Sequence, residues 1–179
     1  TPGLEVTMMN NWEEKIRKIS EITSQQKITS LAGSPMWMLL LLQYIIKEHK
    51  INYIQDVWPD LEVFFHGSVS FAPYRPLFEE LDKNSSLRYL EIFNATEGFF
   101  ALQDQKDDPS LLLMLNYGIY YEFIPEKEFL LENPRIIPLS EVEVGKNYSM
   151  VISTNSGLWR YKIGDTIKFT SVSPYRFTI

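Results

Sequence analysis

Apolar residues in the first third of the chain repeat at helical spacing. Asn11 with Glu14 has the form of a capping box, and Trp12, Ile16 and Ile19 then share one helix face. Ser34-Pro35 opens a second helix, with Ser34 as cap and Pro35 at the first helical position. That helix carries Trp37, Leu40, Leu41, Tyr44 and Ile45 on one side, and Met36, Leu39 and Ile46 on the other. Such a pattern predicts a helix buried around most of its circumference. Residues 61–66 make an apolar run of buried-strand length, broken by Gly67-Ser68. Tyr74, Leu77, Phe78 and Leu81 return to helical spacing, and residues 87–93 read as a second strand. Helix, strand, helix, strand in this order predicts an α/β fold with βαβ-type crossovers and a parallel or mixed sheet.

The pattern changes at the charged stretch 103–109, which reads as a loop. Beyond it, residues 111–115, 119–124, 148–154, 158–163 and 166–170 have strand character. Asn116-Tyr117-Gly118 and Asn155-Ser156-Gly157 supply turns between them. Closely spaced strands joined by tight turns predict an antiparallel sheet or partial barrel. Two subdomains are therefore expected, an α/β part over 1–105 and a β-rich part over 106–179.

Composition narrows the function classes. The 179 residues are 45% hydrophobic and 22% charged, which is globular. A net charge of −6 argues against a general nucleic-acid binder. Without cysteine there is no disulfide framework, thiolate metal site or cysteine nucleophile, and two histidines are too few for a typical histidine metal site. No signal peptide is legible. The apolar run 36–46 is interrupted by Gln43 and is well short of the ~20 residues of a membrane span. These features point to a soluble, cytoplasmic protein without a membrane partner.

Two segments carry candidate chemistry. Leu90-Glu91-Ile92-Phe93-Asn94-Ala95-Thr96-Glu97-Gly98 runs from strand character into a hydroxyl and a carboxylate. Gly157-Leu158-Trp159-Arg160-Tyr161-Lys162-Ile163-Gly164-Asp165 ends in a glycine and a carboxylate. Ligands of open α/β sheets gather at the carboxyl ends of strands, where Thr96 and Glu97 would suit one phosphate and its magnesium. Asp165 could accept two hydroxyl hydrogen bonds, although Gly-Asp is also ordinary turn chemistry. His66 ends a strand and could orient a carboxylate or carry a proton, although a lone histidine there is more often structural. Gly67 would let a ligand approach the backbone. The aromatic and methionine stripe of the second helix is core by default.

Taken in order, these segments resemble the auxin-responsive acyl-acid amido synthetases of the acyl-adenylate-forming superfamily. Trp58-Pro59-Asp60-Leu61-Glu62-Val63-Phe64-Phe65-His66-Gly67-Ser68-Val69-Ser70-Phe71-Ala72-Pro73-Tyr74 is similar to a characteristic family segment. Phe93 to Gly98 matches the superfamily's aromatic-Gly-x-Thr-Glu adenylate motif, and Gly157 to Asp165 its Gly-x-Tyr/Trp-Arg-Tyr-x-x-Gly-Asp segment. The resemblance implies part of the large adenylate-forming domain. It implies an ATP- and Mg²⁺-dependent ligase that adenylates a carboxylic acid and then joins it to an amine, usually an amino acid.

By this resemblance Thr96 contacts the α-phosphate, Glu97 binds magnesium and Asp165 takes the ribose hydroxyls. Phe93, Asn94 and Tyr161 line the nucleotide site, while His66, Gly67, Ser68 and Val69 border the acyl substrate. Phe93 stands where tyrosine is usual, Asn94 where glycine is, and Lys162 where arginine is common. The family's upstream Ser/Thr/Gly-rich phosphate loop and its lysine-bearing C-terminal domain have no counterpart in the sequence. The expectation is a central piece of a longer enzyme, inactive alone. The alternatives are an acyl-coenzyme A ligase-like enzyme and a non-catalytic binding module of the same fold.

Overall fold

The computed structural model describes residues 2–106 and 108–179, so Asp107 of the charged stretch lies outside it. The chain divides into two compact units, one running to Leu90 and the other from Glu91 to Ile179. This division falls ahead of the boundary expected at 105/106.

The first unit starts with a short helix α1 (Leu4–Thr7) and the amphipathic α2 (Trp12–Thr23). The Asn11 side chain caps α2 by accepting the Glu14 N–H at 3.1 Å, as its position predicts. Strand β1 (Ser30–Gly33), helix α3 (Pro35–His49) and strand β2 (Val63–His66) follow. β1 and β2 pair in parallel, Leu31 opposite Phe64 and Gly33 opposite His66, so β1-α3-β2 is a crossover of the expected βαβ type, but its first strand was not among those expected. Pro35 opens α3, but the Ser34 side chain makes no cap bond.

Nor is α3 buried all round. Its packed stripe is Leu39, Leu42 and Ile45, while Met36, Trp37 and Leu40 are exposed. An apolar circumference allows burial on every side, but the side carrying Met36, Trp37 and Leu40 is only partly covered, Trp37 meeting Trp12 of α2 with ring centroids 4.7 Å apart. Beneath α3, Ile45, Ile54, Trp58, Phe64 and Phe78 are fully buried, and the Trp58 indole N–H donates to the Thr23 carbonyl at 3.0 Å. Helix α4 (Arg75–Leu81) completes the unit, stacking Phe78 on Phe64 with ring centroids 4.9 Å apart.

Strand β3 (Arg88–Ala95) leads into the second unit, which is antiparallel throughout. It contains β4 (Gly98–Leu102), β5 (Leu111–Leu113), β6 (Ile119–Pro125), β7 (Ile137–Pro138), β8 (Asn147–Thr154), β9 (Tyr161–Val172) and β10 (Tyr175–Thr178). The strand order is β3-β4-β5-β10-β9-β8-β6-β7. A Cβ on Gly98 of β4 would lie 2.8 Å from Ile119 of β6, although several strands separate the two in the sheet. The sheet therefore curls, as the partial-barrel expectation required. Phe100, Phe123, Phe169 and Phe177 fill its interior with no exposed surface. Among the described residues no helix is long and apolar enough to cross a membrane.

Candidate active site

Thr96 and Glu97 form the two-residue turn between β3 and β4, where Ala95 faces Gly98 across the hairpin. A bulge precedes the turn, where the register shifts between Phe93 and Asn94. The strand end is the place expected for these residues, but its neighbour β4 is antiparallel. Glu97 is held by neutral donors. The Thr96 hydroxyl donates to its carboxylate at 2.9 Å, and its own backbone N–H, that hydroxyl and the nearby Tyr161 hydroxyl hold its pKa below the usual value. The same contact raises the Tyr161 pKa. Tyr161, from the second segment singled out in the sequence, therefore lies near this turn.

Tyr161 is the first residue of β9, opposite Ile152 of β8. Asp165 lies further along β9, which runs unbroken to Val172, so the separate strands and Gly164-Asp165 hairpin turn expected there are one strand with an irregularity. Lys162 pairs with Val151 and Thr166 with Ser149, which leaves Ile163, Gly164 and Asp165 opposite Met150 alone. Gly164 takes φ +101°, a conformation glycine accepts without steric cost, and Asp165 is exposed beside it. A bulge and a turn ask for the same backbone freedom, which is why the sequence read as a turn.

Asn94 is exposed on β3. Phe93 is not: its ring is 7% exposed and packs on Phe100 at 5.2 Å and Phe177 at 6.1 Å. Its contacts support the hairpin from beneath, and the face the resemblance offers to adenine is in the core.

Sequence reasoning missed the residue that anchors Tyr161. The Arg160 guanidinium makes a fork on Glu122 of β6, Nε to Oε2 at 3.0 Å and Nη2 to Oε1 at 2.7 Å. The signal was present: Glu122 sits in Ile119-Tyr120-Tyr121-Glu122-Phe123-Ile124, where a buried carboxylate requires a partner.

In the first unit, His66 ends β2 with 3% of its surface exposed. Its ring stacks on Phe71 at 4.1 Å and 19°. Burial first, and the Arg75 charge second, bring its pKa down from 6.5 to about 4, so it is neutral at pH 7. Nδ1 has no hydrogen-bond partner among the described residues. Arg75 lies over both the Phe71 and Tyr89 rings at 5.2 Å. Gly67 is buried, Ser68 adopts φ +75° and Val69 is 45% exposed, so the chain turns sharply after β2.

Glu97 and Thr96 offer hard oxygen ligands of the kind magnesium prefers. No group of three or more histidine, cysteine, aspartate or glutamate residues able to hold a metal occurs among the described residues. One carboxylate completed by substrate phosphates is a usual magnesium arrangement, and the Thr96-Glu97 turn fits it.

A profile of the GH3 family N-terminal domain matches residues 1–87, and one of the GH3 family central domain matches residues 112–179. Indole-3-acetic acid-amido synthetase GH3.4 of Arabidopsis thaliana is 27% identical over 184 residues, covering 91% of this chain and 30% of that protein. Indole-3-acetic acid-amido synthetase GH3.3 of the same plant is 31% identical over 124 residues, covering 65% of this chain and 20% of that protein. The chain spans about a third of the length of the curated relatives it matches most extensively.

Among solved structures, GH3.15 acyl acid amido synthetase superposes with a TM-score of 0.73 at 15% identity, over 97% of this chain and 41% of that one. An open conformation of 2-hydroxyisobutyryl-CoA ligase, in complex with 2-HIB-AMP and CoA, superposes with a TM-score of 0.63 at 14% identity, over 90% of this chain and 37% of that one. The shared fold is the mixed α/β architecture of adenylate-forming enzymes, as the resemblance implied.

Proposed function

The chain belongs to the GH3 family, and from that membership we propose that it forms part of an acid-amido synthetase that uses ATP and magnesium to join a carboxylic acid to an amine. In this reading the acid's carboxylate attacks the α-phosphate of ATP, giving an acyl-adenylate and pyrophosphate. The amine then displaces AMP and forms the amide. The names of the curated relatives, as amido synthetases, favour an amine acceptor over coenzyme A, and the resemblance implies that the amine is usually an amino acid.

The observation that carries the proposal is the hydroxyl–carboxylate pair Thr96-Glu97 at the β3–β4 turn, bonded at 2.9 Å. Magnesium, when bound, would supply positive charge for the phosphates. Glu97 would hold it through carboxylate oxygens that Thr96 and Tyr161 orient. The Thr96 hydroxyl would also reach the α-phosphate, and Asp165 would accept from the ribose hydroxyls. Asn94 lines the same turn. The contribution of these residues is positioning and charge placement, and none becomes covalently attached.

In the first unit, His66, Gly67, Ser68 and Val69 are proposed to border the acid. With its pKa near 4, His66 would act as a neutral hydrogen-bonding imidazole and not as a proton carrier at pH 7. Acid-dependent exchange of pyrophosphate into ATP by the full-length natural protein, against a panel of carboxylic acids, tests the reading. Exchange with at least one acid that falls at least about tenfold in Glu97→Ala is expected. Exchange unchanged in that variant would remove Glu97 from the site.

A further inference from the structure

Four side chains of the first unit pack together where the chain leaves β2 and enters α4. The His66 ring stacks on Phe71 with centroids 4.1 Å apart, and the Tyr89 ring lies 5.0 Å from Phe71. The Arg75 guanidinium sits 5.2 Å from the centres of both the Phe71 and the Tyr89 rings. Three polar groups of this cluster are unused by the fold. Nδ1 of His66 and the hydroxyl of Tyr89 are buried and have no hydrogen-bond partner among the described residues. Buried polar groups are nearly always paired, so two orphans around one phenylalanine call for a partner that is not part of the fold. Arg75 rests on aromatic faces, which leaves the N–H groups along its edge free to donate. Its one ion pair among the described residues is with Glu79 at 3.8 Å, longer than a hydrogen bond, and both side chains are half exposed. Burial, chiefly, keeps the His66 imidazole neutral at pH 7. Burial first, then the Asp82 and Glu79 charges, raises the Tyr89 pKa, so the phenol keeps its proton.

We propose that Arg75, His66 and Tyr89 form an anion subsite that receives the carboxylate of the acid. The Phe71 and Tyr89 rings orient the guanidinium, whose edge supplies charge-assisted bonds. The imidazole Nδ1–H and the phenol O–H supply neutral ones. The inference rests on the reading that the turn from His66 to Val69 borders the acid. It adds Arg75 and Tyr89 to that border and assigns to them the recognition of the acid's charge. These bonds are made to the bound acid before it reacts, so they serve affinity more than the rate of attack. The same reading accounts for the two unpaired polar groups, since binding sites are where folds keep groups that do not stabilise them.

The test is acid-dependent exchange of pyrophosphate into ATP by the full-length natural protein, with the best acid of a panel. Arg75→Gln should raise KM for that acid at least about tenfold, with the loss falling on KM more than on kcat and with KM for ATP unchanged. Tyr89→Phe should raise KM for the acid about fivefold. Because the hydroxyl has no partner inside the fold, its removal should leave the thermal midpoint no lower than that of the wild type. That combination separates a binding group from a structural one. Exchange with an unchanged KM for the acid in both variants overturns the inference and leaves the ligase reading standing. So does a rise in KM for ATP instead, which would put a phosphate at Arg75. A Tyr89→Phe midpoint lowered by more than about 4 °C also overturns it, because the hydroxyl would then have a structural bond. Absence of exchange with every acid overturns the ligase reading and this inference with it. If Arg75→Gln does not fold, Tyr89→Phe decides alone, since it deletes one unpaired atom.

Discussion

Replacing His66 with phenylalanine should make the folded chain less sensitive to acid. The imidazole is buried against Phe71 and carries a pKa of about 4, against 6.5 in an unfolded chain. Between these values the unfolded chain takes up a proton that the folded chain refuses. The stability linked to His66 is therefore present in full above pH 6.5, and it is lost progressively as the pH falls to about 4. With those two constants the loss is about 2 kcal/mol between pH 7 and pH 5, and about 3 kcal/mol in all by pH 3. Phenylalanine keeps an aromatic ring against Phe71 and cannot titrate. Any overpacking it causes is the same at both pH values and cancels in the comparison. Urea unfolding followed by circular dichroism gives both stabilities. At a slope of about 2 kcal/mol per molar urea, the wild-type midpoint should fall by about 1 M relative to the variant's on going from pH 7 to pH 5. Carboxylates common to both proteins cancel as well. A difference that stays constant with pH would show that the imidazole takes up its proton as readily in the folded chain as in the unfolded one.

Asp104→Asn should destabilise the second unit by about 2 kcal/mol in urea unfolding, below the usual cost of breaking a buried pair because the Asp104 side chain is 31% exposed. Its bond to Arg176 holds the Asp104 pKa down, so this stability is present above the ordinary carboxylate range and disappears as acid protonates the folded chain. Gly164→Ala meets no atom within 4 Å, so its cost is the backbone conformation at φ +101° alone, about 1–3 kcal/mol by the same measurement. Glu97→Ala should lower the thermal midpoint by no more than about 2 °C in a calorimetric melt, since the residue lies in a hairpin turn and loses only the Thr96 bond.

How far the fold could be read depended on how local each signal was. Helix α2, the β2 run and the turn after it follow from neighbouring residues, and they formed as expected. Strand β1 was not legible. Ser30-Leu31-Ala32-Gly33 has one buried residue and no β-branched one, and its strand character comes from pairing with β2, more than thirty residues away. Strand β4 follows the Thr96-Glu97 turn without punctuation, so the hairpin was hidden behind the motif. The exposed side of α3 was illegible for another reason: periodicity tells which residues are apolar and not which of them find a partner. At the site, Thr96, Glu97 and Tyr161 could be nominated from the sequence, but their meeting depends on the curl of the sheet. Arg160 and Glu122 could have been paired by asking what a charge in the middle of β6 must bond.

The carboxylates of the second unit separate by the kind of partner each one has. Glu122 and Asp104 are each neutralised by a forked arginine, and each fastens one strand or loop to another. Their charge is used up inside the fold, and little of it remains for a ligand. Glu97 has no lysine or arginine bound to it among the described residues, and its donor is the neutral Thr96 hydroxyl. Neutral donors orient the oxygens and favour the ionised form while leaving the negative charge intact. A carboxylate oriented by neutral donors keeps its charge available to a ligand. Such a carboxylate would attract a small divalent cation, which is why Glu97, among these three acids, is the one proposed to bind magnesium.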